Sequence, residues 1–141
     1  MTDITIQEIE LLTQESLPFA VDYGFRGDSV SSGTSTVRAP YQESFLRPGG
    51  TISGPVIMGL ADYALFVAIL TKIGIVELAV TTNLNINFLR RPDPGDLLAV
   101  ANVIKIGKRL AVGQVEVYLD GEASMIAHAT STYSIPPKTV K

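Results

Sequence analysis

The sequence has no cysteine and only one histidine, His128, among its 141 residues. Without cysteine the chain has no disulfide bond, no thiolate metal site and no cysteine nucleophile. A Ser-His-Asp triad would have to use His128, and one chain with a single histidine cannot form a multi-histidine metal site.

Charge is also scarce, and neither sign dominates. The chain has 11 basic and 14 acidic residues, a net charge of −3, so the broad basic face that nucleic-acid binding usually needs is not expected. Residues 1–4 show no basic stretch followed by an apolar run, which predicts a cytoplasmic protein. Because only 18% of residues are charged and 46% are hydrophobic, we expect exposed apolar surface that a homo-oligomer would cover.

Apolar periodicity and turn signals predict an α+β fold in one domain spanning residues 1–141. A short amphipathic helix is expected over residues 4–15, capped by Thr2 or Asp3 and ended by Pro18. Strands joined by short turns lie antiparallel, so the strands that follow should form one antiparallel sheet.

Strands are expected where apolar residues alternate between turn signals. Two fall within residues 19–39, with turn residues at 27–28 and 31–33, and a loop follows over 40–50. Asp120-Gly121 predicts a two-residue hairpin turn. The four later strands are predicted at residues 76–89, 97–106, 110–119 and 122–135.

The most apolar stretch, residues 53–72, predicts a long helix with Ser53 as N-cap, Pro55 in its first turn and Gly74 at its end. Apolar residues cover every side of this helix, so it must be buried all round. The stretch is slightly short for a membrane span and contains Asp62, which favours the core of a soluble protein. A buried carboxylate needs partners, protonation or a function. Three interpretations of Asp62 remain open: a functional role, exposure to a water-filled crevice, or a salt bridge with an arginine.

A glycine-rich segment, residues 49–54, leads into this helix. Free N–H groups at a helix N-terminus can hold a developing oxyanion, although a flexible loop with a serine cap explains the same residues. Gly54 and Asp62 are eight residues apart, which is roughly 12 Å along a helix axis. Both cannot touch one small group, but two antiparallel helices in a dimer can bring Gly54 of one chain to Asp62 of the other.

The run Gly50-Thr51-Ile52-Ser53-Gly54-Pro55-x-x-x-x-Leu60-Ala61-Asp62 resembles the G-x-x-H-G-G-x-x-x-x-L-x-D/E signature of hot-dog fold acyl-CoA thioesterases, especially their PaaI-like branch. Residues 80–90 are similar to the strand after the family's helix, and the order of elements matches from about residue 19 to residue 135. The resemblance implies a long central helix wrapped by a five- to six-stranded antiparallel sheet. It also implies homodimers with sites between subunits, paired into homotetramers.

The resemblance implies hydrolysis of an acyl-CoA thioester, with no metal and no cofactor beyond the coenzyme A of the substrate. Asp62 matches the family carboxylate, which acts as nucleophile or as general base on water. Gly54 matches the glycine whose N–H polarises the thioester carbonyl, and Thr81 falls where some members have a serine or threonine near the carboxylate.

The chain departs from the family pattern at three positions. Ser53 stands in place of the usual histidine, Pro55 in place of a second glycine, and Arg47 in place of an asparagine that orients the attacking group. Losing one such group lowers turnover by roughly a hundredfold or more. These departures motivate an alternative: a hot-dog protein that binds acyl-CoA or another apolar ligand with little turnover, in which Arg47 pairs with Asp62. A hot-dog dehydratase would need an active-site histidine, and His128 is badly placed for that role.

Four basic residues suit the phosphates of coenzyme A, namely Arg90, Arg91, Lys108 and Arg109. Ordinary solvated turn charge explains the same residues. The sequence leaves open the acyl group, the tetramer packing and the choice between coenzyme A and an acyl carrier protein.

Overall fold

A computed structural model describes residues 4–137. The helices in this range are α1 (Ile6–Ser16), α2 (Pro18–Tyr23) and α3 (Gly54–Ile73), with a 3-10 turn at Glu43–Phe45. The strands are β1 (Arg26–Ser31), β2 (Thr34–Ala39), β3 (Leu46–Arg47), β4 (Thr51–Ile52), β5 (Val80–Phe88), β6 (Leu97–Ile106), β7 (Leu110–Leu119) and β8 (Met125–Ser134). Six of them form one antiparallel sheet in the order β1-β2-β6-β7-β8-β5, and α3 contacts every strand of it. The expected α+β arrangement of a long helix wrapped by an antiparallel sheet is confirmed.

The long helix α3 is the centre of the core. It begins after Ser53, whose extended backbone (φ −71°, ψ 148°) turns the chain into the helix, and it ends at Gly74 with φ 89°. The Ser53 side chain makes no capping hydrogen bond, contrary to expectation. A stretch of α3 is apolar enough to cross a membrane, with mean hydropathy 1.9, but 72% of it is buried inside the protein. Protein rather than lipid therefore covers this helix.

A glycine lets α3 approach the sheet closely. A Cβ atom at Gly113 on β7 would overlap the Leu65 side chain and lie 2.8 Å from the carbonyl oxygen of Asn102. Nearby, the Ser35 hydroxyl on β2 donates to the carbonyl oxygen of Ala64 at 2.7 Å. The helix is thus fixed to the sheet by close packing and by a buried hydrogen bond.

The first helix is confirmed with a different cap. Thr5 caps α1: its side chain accepts from the Glu8 N–H at 3.1 Å, and the Glu8 carboxylate accepts from the Thr5 N–H at 3.0 Å. Thr2 and Asp3, the predicted caps, lie outside the described residues. The helix ends at Ser16, before Pro18, as expected.

The strand predicted to start at residue 19 is wrong, because residues 18–23 form α2. Pro18 occupies the first turn, and Gly24 ends the helix with φ 75°. The apolar side chains that alternate here gather in an aromatic cluster instead of lining a sheet. Its ring contacts join Phe19 to Tyr23, Phe19 to Phe25, Tyr23 to Phe25, Tyr23 to Phe45 and Phe25 to Tyr63.

Several other boundaries differ from expectation. The predicted turn at residues 27–28 is a bulge within β1, and the loop over 40–50 contains β3, which pairs with β4 just after it. Strand β5 starts at Val80 rather than at residue 76, and residues 120–124 form a longer connection than the expected two-residue turn. Strands β6 and β7 have the predicted bounds.

Arg38 on β2 ties one end of the sheet together. Its guanidinium lies 3.0 Å from Asp28, 3.0 Å from Asp96 and 2.9 Å from Asp120. The Tyr41 N–H, which donates to Asp96 at 2.8 Å, and the Arg38 guanidinium lower the pKa of Asp96 from its ordinary value of 3.8. This network joins segments that are far apart in the sequence.

Candidate active site

The Asp62 carboxylate is half-buried on α3 and is held by two hydroxyl groups. Its Oδ1 accepts a hydrogen bond from Thr81 Oγ1 at 2.7 Å and one from Tyr133 Oη at 2.6 Å. The Tyr133 hydroxyl also lies 2.9 Å from the backbone carbonyl oxygen of Asp62. Asp62 therefore has polar partners and forms no ion pair with any residue from 4 to 137.

The register between β5 and β8 brings the two hydroxyls together. Thr81 and Tyr133 are direct cross-strand partners, and a bulge follows between Thr81 and Asn83. Beyond the bulge, Leu84 pairs with Ser131, which is buried like Tyr133. The bulge places Thr81 three residues before the next inward side chain instead of two, and this spacing turns the Thr81 hydroxyl towards α3.

A mostly apolar cavity of about 350 Å³ lies in front of Asp62 and is called the Asp62 cavity here. Its lining includes Phe19, Gly59, Asp62, Phe66, Thr81 and Tyr133. Phe19 rests on Gly59, where a Cβ atom would lie 2.9 Å from its ring. Glu77 also lines this cavity, and its carboxylate accepts from the Ser16 hydroxyl at 2.9 Å. The cavity thus combines an apolar wall with two carboxylates, Asp62 and Glu77, each held by a hydroxyl donor.

Tyr133 is fixed as a neutral donor. Burial raises the pKa of its phenol far above the ordinary value of 10.0, and the negative charge of Asp62 beside it raises the pKa further. The Tyr133 ring packs on Phe66 with ring centroids 6.2 Å apart. The phenol therefore keeps its proton at neutral pH.

Gly54 lies at a different place, in a groove of about 660 Å³ at the N-terminus of α3. We call it the Gly54 groove. Its lining includes Arg47, Gly54, Ile57, Phe88, Arg90 and Arg91. The first amides of a helix have no intrahelical i−4 acceptor. The Ser53 side chain caps none of them, although the Val56 N–H donates to the Ser53 carbonyl oxygen at 3.2 Å. The preceding hairpin turn needs glycine, because Gly49 and Gly50 have φ values of 97° and 74°.

The structure brings some of the predicted site residues together and separates others. Thr81 joins Asp62, whereas Arg47, Arg90 and Arg91 join Gly54. Arg47 does not pair with Asp62 within one chain. Lys108 and Arg109 lie apart, at the β6–β7 turn. Their turn stands at the same end of the sheet as Asp62, since Ala111 pairs with Tyr133.

Sequence reasoning missed Tyr133 and the part of α2 that lines the Asp62 cavity. The alternation of β8 carries a signal for Tyr133, because Ala127, Ala129 and Ser131 are buried on the same face. His128 is on the other face and its ring contacts Gln114 at 3.0 Å, as expected of a cross-strand residue. Among residues 4–137, no three histidine or carboxylate side chains lie close enough together to hold a metal ion.

Comparison with known proteins places this fold and site in a family. The model of the thioesterase superfamily matches residues 49–126, which include Gly54, Asp62 and Thr81. A protein of Saccharolobus solfataricus that is named as an inferred esterase is 31% identical over 137 residues, covering 96% of this chain and 89% of that protein. The chain therefore belongs to the thioesterase superfamily, and its fold is the hot-dog fold.

Solved structures agree with this assignment. The crystal structure of an inferred thioesterase from a Silicibacter species has a TM-score of 0.88 and 37% identity, covering 97% of this chain and 95% of that one. A variant of the phenylacetic acid degradation protein PaaI from Thermus thermophilus has a TM-score of 0.74 and 26% identity, covering 84% of this chain and 99% of that one. The resemblance to the PaaI-like branch is confirmed at the level of structure.

Proposed function

We propose that this protein hydrolyses the thioester bond of an acyl-CoA to a free acid and coenzyme A. The observation that carries the proposal is the Asp62 carboxylate, which is anchored by two hydroxyls and lines an apolar cavity. An acyl group fits such a wall, and a carboxylate beside its carbonyl carbon can act on it. Membership of the thioesterase superfamily supports the same bond type.

The proposed site lies between two chains of a homodimer. On one helix Gly54 and Asp62 are separated by roughly 12 Å, and they line different cavities. An antiparallel pair of α3 helices would bring the Gly54 groove of one chain to the Asp62 cavity of the other. One composite site would then contain Asp62 and Thr81 from one chain with Gly54 from its partner. We also propose that the dimers pair into tetramers.

The chemistry needs only these groups. As general base, Asp62 takes a proton from water while the water oxygen attacks the thioester carbon, and the Gly54 N–H holds the oxyanion. The oxyanion then collapses, the C–S bond breaks, and the thiolate of coenzyme A takes the proton back from Asp62. As nucleophile, Asp62 attacks the carbon itself, the C–S bond breaks, and the coenzyme A thiolate leaves an anhydride behind. Water then hydrolyses the anhydride, which returns the Asp62 carboxylate and the free acid, and the proton released goes to the thiolate. Neither route uses a metal or a redox cofactor.

The basic residues fit the nucleotide end of coenzyme A. Arg47, Arg90 and Arg91 line the Gly54 groove. Lys108 and Arg109 stand at the Asp62 end of the sheet, so a dimer of the proposed kind would place both sets around one site. Arginine binds phosphate oxygens in pairs, and lysine adds a point charge. A cytoplasmic location follows from this substrate, since acyl-CoA is an intracellular carrier.

The test is release of free thiol from short, medium and aromatic acyl-CoAs by the wild type and by Asp62→Asn. Size-exclusion chromatography checks that both have the same oligomeric state. We expect turnover in the wild type and a loss of several orders of magnitude in the variant. Thiol release that survives Asp62→Asn would contradict the assignment of Asp62.

The substitutions at Ser53, Pro55 and Arg47 favour a second candidate function, which is binding of acyl-CoA without turnover. Calorimetric binding of an acyl-CoA with no thiol release on any substrate would support it. Ser53→His separates the two functions further. The family's usual residue should increase thiol release by an enzyme, whereas a binding protein should still release no thiol.

A further inference from the structure

The two oxygens of the Asp62 carboxylate are not equivalent. Oδ1 accepts both hydroxyl hydrogen bonds, from Thr81 at 2.7 Å and from Tyr133 at 2.6 Å. Among residues 4–137, no group donates a hydrogen bond to Oδ2. A charged oxygen that is already bonded twice is a weaker base and nucleophile than its free neighbour, so the geometry selects one oxygen for chemistry.

We propose that Tyr133 is a positioning residue that fixes the Asp62 side chain so that Oδ2 is the oxygen that activates water or attacks the thioester. This inference rests on the proposed hydrolysis and adds a residue to it. Tyr133 would not touch the reacting atoms, because its hydroxyl is occupied by Asp62.

The contacts of Tyr133 suit this task. Its hydroxyl lies 2.6 Å from Asp62 Oδ1 and 2.9 Å from the carbonyl oxygen of the same residue. One phenol oxygen therefore contacts both the tip and the backbone of Asp62, which restricts rotation of the side chain between them. Thr81 on β5 donates a hydrogen bond to the same Oδ1, which further restricts rotation of the Asp62 side chain.

Tyr133 is itself held rigidly. It is 3% exposed, it belongs to β8 between β7 and β5, and its ring packs on Phe66 on the helix that carries Asp62. Burial and the neighbouring Asp62 charge raise the pKa of Tyr133, so the donor keeps its proton. A site held by rigid elements keeps its geometry better than one held by loops.

The experiment compares Tyr133→Phe with the wild type in thiol release from the acyl-CoA that the wild type hydrolyses best. We expect kcat to fall by about tenfold to a hundredfold, the cost of a misplaced reacting group. The KM should stay within about twofold, since the hydroxyl does not contact substrate. A purely structural role would not separate kcat from KM in this way.

The chain offers a matched control in Tyr118→Phe. The Tyr118 hydroxyl donates to the Glu116 carboxylate at 2.6 Å, the same group pair at the same distance as Tyr133 and Asp62. Tyr118 lies on β7 and lines neither the Asp62 cavity nor the Gly54 groove. We expect wild-type kcat and KM in this variant.

A double variant tests whether Tyr133 acts through Asp62. In the Asp62→Asn background, Tyr133→Phe should leave the residual rate unchanged, because the carboxylate to be positioned is already gone. Wild-type kcat in Tyr133→Phe, beside an inactive Asp62→Asn, would overturn the positioning role and leave the hydrolysis standing. A fall in melting temperature that accounts for the lost activity would overturn it as well. No thiol release by the wild type would overturn both proposals.

Discussion

The proposed site between two chains predicts a measurable complementation. The test mixes two inactive variants. The first is Gly54→Pro, which removes the N–H proposed to hold the oxyanion. Proline is tolerated in the first turn of a helix, and Ser53 already has the extended backbone that a residue before proline adopts (φ −71°, ψ 148°). We expect turnover to fall by about a hundredfold to a thousandfold, as for one oxyanion donor.

Gly54→Ala is the control for the added side chain. A Cβ atom at this position would lie 3.4 Å from Phe88 Cζ, which is an ordinary van der Waals contact. Alanine keeps the N–H that proline lacks. Most of the activity should therefore remain in Gly54→Ala, and any loss it shows measures the cost of the Cβ alone.

The second component is Asp62→Asn, and the two inactive variants are unfolded and refolded as an equal mixture. In the proposed dimer, each composite site draws Gly54 from one chain and Asp62 from the other. Half of the sites receive an intact Gly54 and half of these receive an intact Asp62, so about one quarter of wild-type activity should return. This fraction holds for dimers and for tetramers with independent sites.

Thiol release per chain is measured for the mixture and for each variant refolded alone, with size-exclusion chromatography to confirm equal assembly. A site built within one chain gives a different result. Every chain in the mixture then carries one defect, and the mixed sample stays as inactive as its components. That outcome, with Gly54→Ala active, would refute the argument from the spacing of Gly54 and Asp62.

Two further predictions concern stability. Gly113→Ala should lower the free energy of unfolding in urea by about 1–3 kcal/mol, because the added methyl overlaps Leu65; an unchanged midpoint would contradict the close approach. Arg38→Gln should cost about 1 kcal/mol at pH 7, the scale of partly exposed ion pairs. The pKa of Asp96 is lowered in the folded state, so its contribution is present above pH 3.8 and is lost as the pH falls further. Acid titration of stability should accordingly show the two proteins converging as the pH falls below 3.8; a gap that persists there would mean that the cost of Arg38→Gln is not electrostatic.

The sequence was most informative where periodicity and turn signals agreed. Strand β7 has the predicted bounds because its apolar alternation runs between the turns at residues 107–109 and 120–121. Strand β6 has them because turn residues flank it, at 92–96 and at 107–109. Helix α3 was recognisable because its apolar residues cover every side and its ends carry proline and glycine. The strand prediction for residues 18–23 was wrong because the apolar residues there alternate as in a strand, whereas Pro18 and Gly24 mark the ends of a short helix.

The site was only partly predictable. Asp62 stood out because a carboxylate interrupts an apolar helix, and Thr81 was placed near it by resemblance alone. Tyr133 could not be paired with Thr81 from the sequence, since a bulge in β5 breaks the two-residue period that sets the register. The separation of Gly54 from Asp62 followed from helix geometry, which depends only on residue spacing.

The bulge in β5 also divides that strand into two parts that can change independently. Beyond it, Leu84 and Ile86 pack on the core and fix the pairing with β8. Before it, Val80 and Thr81 line the Asp62 cavity, and the bulge interrupts the regular pairing between the two parts of the strand. Substitutions that retune the chemistry at this end of β5 can therefore accumulate without shifting the rest of the sheet.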